Sequence, residues 1–264
     1  NLSQNNTELV SSQLQLAAIE KSLKLSTAGK IFAHNLHFPP YSRLINTAAD
    51  FEISLLLKPQ QSTLRLNRAW LKTPQANLRV EGFIDSIEEQ VQARAVLNVA
   101  DLKYLQPLTS LPLSGRGSLE TKLSGSFKSP ALQAELALQE LSAINMQADK
   151  INVSAEILPI LESPETPSRL KVKSSARISG LQRAKRSISA EPLELTCQAD
   201  YSLPGLLEIK KATLTLPGQK AEFEGNLHKN GTFKADLGLQ VRQLAPYLKS
   251  KMAGISLKSE LDAH

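Results

Sequence analysis

The chain has 264 residues, a formal net charge of +6, 41% hydrophobic residues and only 5% aromatic ones. That length holds one large domain or two ordinary ones, and the core must come from Leu, Ile, Val and Ala. Lys and Arg are spread along the chain without stacking aromatics beside them, which argues against a nucleic-acid interface; a weak attraction to anionic lipid headgroups fits the surplus equally well. A single cysteine, Cys197, excludes an intrachain disulfide. There is no secretory apolar segment and no run of eighteen apolar residues. Without a start methionine, the chain reads as a piece of a longer protein whose membrane anchor lies outside it.

In chain order, residues 1–9 are polar and expected to fray, with a first strand from about Val10 and alternation at Leu14 and Leu16 and then at Leu23 and Leu25. Ile31–Phe38, Phe51–Leu57, Leu64–Leu71, Leu78–Ile84 and Val91–Val99 follow as strands, because apolar residues recur there with a period of two. Ala100–Pro107 breaks the alternation: Leu102 and Leu105 stand three apart behind Asp101, a helix-capping residue, so one short helical turn is predicted. From Leu113 to Ile157 the alternation is strict, with breaks near Gly125, Pro130 and Asn145, the pattern of an antiparallel meander with one apolar face. Pro159–Pro167 reads as a loop. Strands resume at Leu170–Ile178, Leu193–Ala199, Leu206–Leu216, Ala221–Leu227 and Phe233–Val241; a second helical turn over Gln243–Lys249 and a strand from Ile255 complete the chain.

The second half echoes the first at an offset of about 142. FEISLLL at Phe51 aligns with LELTCQA at Leu193, which sets Cys197 against Leu55; Pro74, Glu81 and Gly82 meet Pro217, Glu224 and Gly225; and Gly117 falls opposite Gly254. The chain is therefore expected to hold nearly two copies of one unit, about residues 24–165 and 166–264, within one continuous elongated β domain.

Catalytic chemistry finds little support. His34, His37, His228 and His264 are scattered, and His34 and His37 would share a metal only on a helix, whereas they sit in a strand region. The run from Gly115 to Ser118 lacks the Lys-Ser/Thr ending of a phosphate loop and reads as a glycine bend at a strand start. Cys197, on the face of Leu193 and Leu195, reads as a small buried apolar residue rather than a reactive thiol. Trp70 reads as a partly covered outward or edge side chain, because its repeat partner is Thr213. The sequons at Asn5, Asn152 and Asn230 matter only in a glycosylating pathway. No catalytic residue, metal ligand or cofactor is expected.

What remains is the apolar face. Helices are too few to cover it, and a membrane barrel would want aromatic girdles. A sandwich, a solenoid, and a sheet curled around an apolar groove stay open, and small residues such as Ala93, Ala95, Ala134 and Ala155 would leave room between facing walls.

The spaced pattern of Leu111–Leu138, L-P-L-x-G-x-G-x-L-x-x-x-L-x-G followed by P-x-L-x-A-x-L-x-L, resembles the repeated signature of the TamB/AsmA-like family, and Ala212–Leu248 resembles it too. The resemblance implies an all-β fold: a long, curled, mostly antiparallel sheet, a β-taco or open groove with one or two short helical turns. It also implies a periplasmic, inner-membrane-anchored protein of the Gram-negative envelope that carries phospholipids between the inner and outer membranes, and it points to an outer-membrane barrel partner. Residues of this chain expected to line the groove are Leu97, Val99, Leu119, Leu123, Ala134, Leu136, Leu138, Ile151, Val153, Leu193, Leu195, Phe223, Leu237 and Leu239. Two alternatives stand beside lipid transport: an outer-membrane protein assembly factor that presents sheet edges to client strands, and a structural β spacer with a dry core.

Overall fold

The computed structural model describes residues 6–19, 22–37, 44–105, 112–161, 167–184, 186–188, 191–202, 206–216, 219–228, 233–241 and 255–263. The fold is all-β, built of antiparallel strands joined mostly by tight connections, with two short 3₁₀ turns and no α-helix among these residues. The chain divides into two compact units at β8 (Ala131–Ala143): residues 131–135 belong to the second unit and 136–145 to the first.

The first unit runs β1 (Asn6–Ile19), β2 (Ser22–His37), β3 (Leu44–Lys58), β4 (Thr63–Lys72), β5 (Ala76–Asp85), β6 (Gln90–Val99) and β7 (Leu113–Ser126). Each pairs antiparallel with its neighbour in sequence. Local chemistry closes the hairpins. Thr73 Oγ1 accepts the amides of Gln75 (3.3 Å) and Ala76 (2.9 Å) between β4 and β5, and Asp85 Oδ1 accepts those of Ile87 (3.0 Å) and Glu88 (3.1 Å) between β5 and β6. At the start of β7, Gly115 has φ +120°, and a Cβ there would lie 2.7 Å from the carbonyl oxygen of Gln139. Only glycine allows that approach of β7 to the second half of β8.

The second unit contains β9 (Met146–Leu161), β10 (Pro167–Ser179), a two-residue ribbon of β11 (Gln182–Arg183) and β12 (Arg186–Ser187), then β13 (Leu193–Ser202), β14 (Leu206–Leu216), β15 (Gln219–His228), β16 (Phe233–Val241) and β17 (Ile255–Ala263). β9 pairs with β10, β10 with β13 past the ribbon, and β13 to β17 pair in order. Among the described residues no pairing closes either unit into a barrel.

Both units carry the same irregularity. In β4 the register moves from Leu66↔Gly82 to Ala69↔Val80, so that Asn67 and Arg68 oppose a single residue. In β14 it moves from Ile209↔Gly225 to Ala212↔Phe223, so that Lys210 and Lys211 do the same. Every one of these positions is displaced by 143 residues. A bulge of this kind switches the parity of the strand, and it keeps Leu64 and Leu66 on one face with Ala69 and Leu71, and Leu207 and Ile209 with Ala212 and Leu214.

Several expectations are corrected. β1 starts at Asn6, paired with His34 of β2, earlier than Val10 and inside the stretch expected to fray. β2 begins at Ser22 rather than Ile31. The predicted loop at Pro159–Pro167 is strand as far as Leu161, and strand again from Pro167; Pro159 is tolerated opposite Leu170. The register sets Cys197 against Ile53, and Leu55 against Ala199, two residues from the sequence alignment but on the same face. Likewise Val99↔Gly117 corresponds to Val241↔Ile255, so Ile255 rather than Gly254 is the counterpart of Gly117. The first helical turn is a 3₁₀ turn over Leu102–Leu105, with the Lys103 amide donating to Asp101 Oδ1 at 2.9 Å; the turn expected over Gln243–Lys249 lies outside the described residues.

Candidate functional site

Cross-strand partners point to the same face, so the registers assign the described side chains to one of two faces. In the first unit one face carries Leu25, Leu55, Leu66, Gly82, Ala93 and Leu123 as one row across β2 to β7, and Phe51, Leu71, Leu78, Leu97 and Leu119 as another. Val99 stands between Ala76 and Gly117 at the end of this face. There Leu102 is buried, and a Cβ on Gly117 would lie 3.5 Å from its Cδ2 and 2.9 Å from Leu138 Cδ2. In the second unit Val153, Ala176, Leu195, Leu214 and Ala221 form a row, Ile151, Ile178 and Leu193 form the next, and Phe223 pairs with Leu237.

Within the first unit the structure thus brings Leu97, Val99, Leu119 and Leu123 to one apolar face, with Leu138 at its Val99 end and Leu136 at the same parity of β8. Within the second it brings Ile151, Val153, Leu193, Leu195, Phe223 and Leu237 to one apolar face; the side chain of Leu239 lies outside those described. Ala134 is half-buried, on the parity of Leu136 and Leu138. Sequence reasoning left out the rows contributed by Leu25, Leu55, Leu66, Leu71 and Leu78. The signal that could have found them is the period of two in their own strands, with the polar pair Asn67-Arg68 marking the bulge that keeps Leu66 and Leu71 on one face.

These faces are lined but not sealed. The buried apolar residues among those described are Ala49, Val99, Leu102, Ala148 and Ala199, and no large side chain falls below 2% exposure. Leu195 keeps 42% of its surface and Leu237 45%. At one margin of the first unit, Leu23, Leu57, Leu64 and Ile84 lie in register and are each about two-fifths exposed. A packed core of this size would contain fully buried leucines.

The opposite face is charged. Arg94 bridges Glu120 (2.9 Å) and Glu81 (3.8 Å), Arg79 reaches Glu81 (2.8 Å) and Lys122 reaches Glu120 (3.1 Å), a network across β5, β6 and β7. Hydrogen bonds from Arg94 and then Lys122 hold the Glu120 carboxyl below the usual carboxylate range, and the same contact with Glu120 raises the Arg94 guanidinium. In the second unit, Lys220 and then Lys211 lower Glu222 in the same way. Such exposed pairs add little to stability; they keep this face solvated. Trp70 lies on it, half-buried, donating from Nε1 to Glu52 Oε2 at 2.7 Å. Cavities of about 450, 400 and 280 Å³ are lined mainly by residues of this polar face, so none of them is an acyl pocket.

Cys197 is free and half-buried between Ser174 and Ala212, not the buried residue expected. His34 and His37 lie in extended strand β2. Among the described residues no group of three His, Cys, Asp or Glu is placed to hold a metal, and no helix is long and apolar enough to cross a membrane. No family model, curated protein or solved structure matches the chain.

Proposed function

We propose that the chain is a segment of a bridge-like periplasmic protein that shields phospholipid acyl chains along an apolar sheet face between inner and outer membranes, as its TamB/AsmA-like pattern implies. The observation that carries this reading is the combination of in-register apolar rows with the absence, among the described residues, of any fully buried large side chain. An apolar face that runs in register across a unit yet stays unsealed is the surface a dry spacer avoids and an acyl-chain path needs.

The mechanism is passive. Burying a methylene is worth about 0.8 kcal/mol, so an acyl chain of about fifteen methylenes loses on the order of 12 kcal/mol on entering water. Within a row, Leu, Val and Ala on successive strands stand about 4.8 Å apart and offer the chain successive equivalent contacts. No step needs a covalent intermediate, a nucleophile or a metal. The charged network on the other face keeps that side in water and leaves one greasy side for cargo.

Native mass spectrometry of the purified segment, followed by lipid extraction, tests the reading. Phospholipid co-purifying in a defined stoichiometry is the expected result. A lipid-free protein whose apolar face binds no added phospholipid would sink it. Recovery of unfolded barrel strands with no lipid present would favour the assembly-factor alternative.

A further inference from the structure

The cavity of about 450 Å³ at one end of the first unit has a lining that the acyl-chain reading does not use. Lys72, Asn77, Asn98 and Ser118 are successive cross-strand partners on β4, β5, β6 and β7, and they form a ladder of donors on the polar face about 4.8 Å apart. Arg116 and Gln139 complete the polar wall, and no carboxylate lines the cavity. Lys72 makes no ion pair among the described residues: its cross-strand neighbour Asp50 is engaged by Lys30 at 3.7 Å. The side chains of Asn77, Asn98 and Ser118 likewise have no hydrogen-bond partner among the described residues. Arg116 is held by Glu140, Nη2 to Oε1 at 2.8 Å, which fixes its position beside the cavity and partly offsets its charge.

We infer that this cavity binds a phosphate ester, with Lys72 as the principal cation, Asn77 and Asn98 as donors to the phosphate oxygens, and Ser118, about 14 Å from Lys72 along the ladder, facing the rest of the ester. A phosphate monoester presents three peripheral oxygens where a carboxylate presents two, and so meets Lys72 and the neighbouring amides with one oxygen each. The volume lies in the range of small-molecule sites and exceeds what a bare ion fills, while Pro74 and Ala137 supply an apolar wall for the carbon skeleton of an ester. The wall is preorganised: the Ala100 amide donates to the Gln75 carbonyl at 2.8 Å and ties the β4–β5 turn to the end of β6. The second unit serves as an internal contrast. There Thr215 replaces Lys72, and Lys220, the counterpart of Asn77, is occupied by Glu222 at 2.7 Å. This inference stands independently of the acyl-chain reading, since it concerns the other face of the sheet.

Both a phospholipid headgroup and a soluble metabolite carry a phosphate ester, and two probes separate them. In the first arm, glycerol 3-phosphate is titrated into the full chain at low ionic strength and followed by calorimetry and by backbone amide shifts. In the second, vesicles of phosphatidylglycerol are compared with vesicles of phosphatidylcholine. Saturable binding with shifts at Asn77, Asn98 and Ser118 is expected, weakened at least about ten-fold by Lys72→Gln and unchanged within about two-fold by Lys122→Gln. The second variant removes the same charge from the same face outside the cavity. Lys72-dependent binding of phosphatidylglycerol vesicles assigns the headgroup; Lys72-dependent binding of glycerol 3-phosphate alone assigns a soluble ester. Equal weakening by both variants would mean attraction to net charge only and would overturn the site, as would no saturation at tens of millimolar with both variants folded.

Discussion

Replacing Leu237 with aspartate places a carboxylate on the apolar face of the second unit, where Leu237 stands between Phe223 and Ser259 and keeps 45% of its surface. Fully burying a leucine is worth about 1.5–3 kcal/mol, so a little over half coverage is worth about 1–1.5 kcal/mol. Because the site is unsealed, the new charge reaches water and escapes the several kcal/mol of desolvation that an unpaired buried charge carries. The expected destabilisation is therefore about 1–2 kcal/mol, well under the 4–5 kcal/mol that marks disruption of a sealed core. Function should respond differently: a hydrated carboxylate lies across the row that an acyl chain would follow. Urea unfolding and lipid retention of Leu237→Asp and Leu136→Asp, with outward-facing Glu135→Lys as control, measure both effects. Folded Asp variants that lose bound lipid, beside a control that keeps it, are expected. Asp variants that unfold in native buffer while the wild type holds no lipid would refute the reasoning and establish a dry core.

Other outcomes follow from particular contacts. Gly82→Ala should destabilise the first unit by about 1–3 kcal/mol, because the added Cβ meets the Gln92 carbonyl and lies 2.9 Å from Ala93 Cα, both backbone. Gly117→Ala should cost less, since its closest obstacle is the end of the Leu138 side chain; thermal melts compare the two. Leu102→Ala, removing a side chain 5% exposed, should cost about 2–5 kcal/mol and loosen amide protection at the end of β6. Glu120 contributes its pairing above the unfolded carboxylate range and loses it as pH falls through its lowered folded value; Arg94→Gln should move its titration upward by carboxyl NMR, and added salt should shrink the difference. Leu16→Lys, on a β1 residue that keeps 66% of its surface, should reduce concentration-dependent association measured by light scattering.

The period of two made the all-β fold and most strand positions legible, because each strand has one apolar and one polar side. Ends were less legible. β1 reaches back to Asn6 because pairing with β2 outweighs the polar composition of its start, and β9 continues through Pro159 although proline donates no ladder hydrogen bond. The ribbon of β11 and β12 is too short to leave a periodic signal. Apolar alternation is degenerate under shifts of two, so the repeat could be misaligned by two residues at Cys197 while its face stayed right. The bulges at Asn67-Arg68 and Lys210-Lys211 were visible as polar doublets inside alternating strands, but their effect on parity emerges only from the pairing. Burial was the least legible property. Alternation says which side chains face together and nothing about whether a second layer covers them, and Cys197 was expected buried for that reason.

Neighbouring residues Leu195 and Thr196 point to opposite faces of β13 and are both exposed, so they form a matched pair for the most direct test. A photoreactive amino acid placed at each position in the full chain, in cells, reads out which face touches lipid. Acyl shielding predicts phospholipid adducts at Leu195 and none at Thr196. Adducts of equal yield at both positions, or at neither, would contradict it.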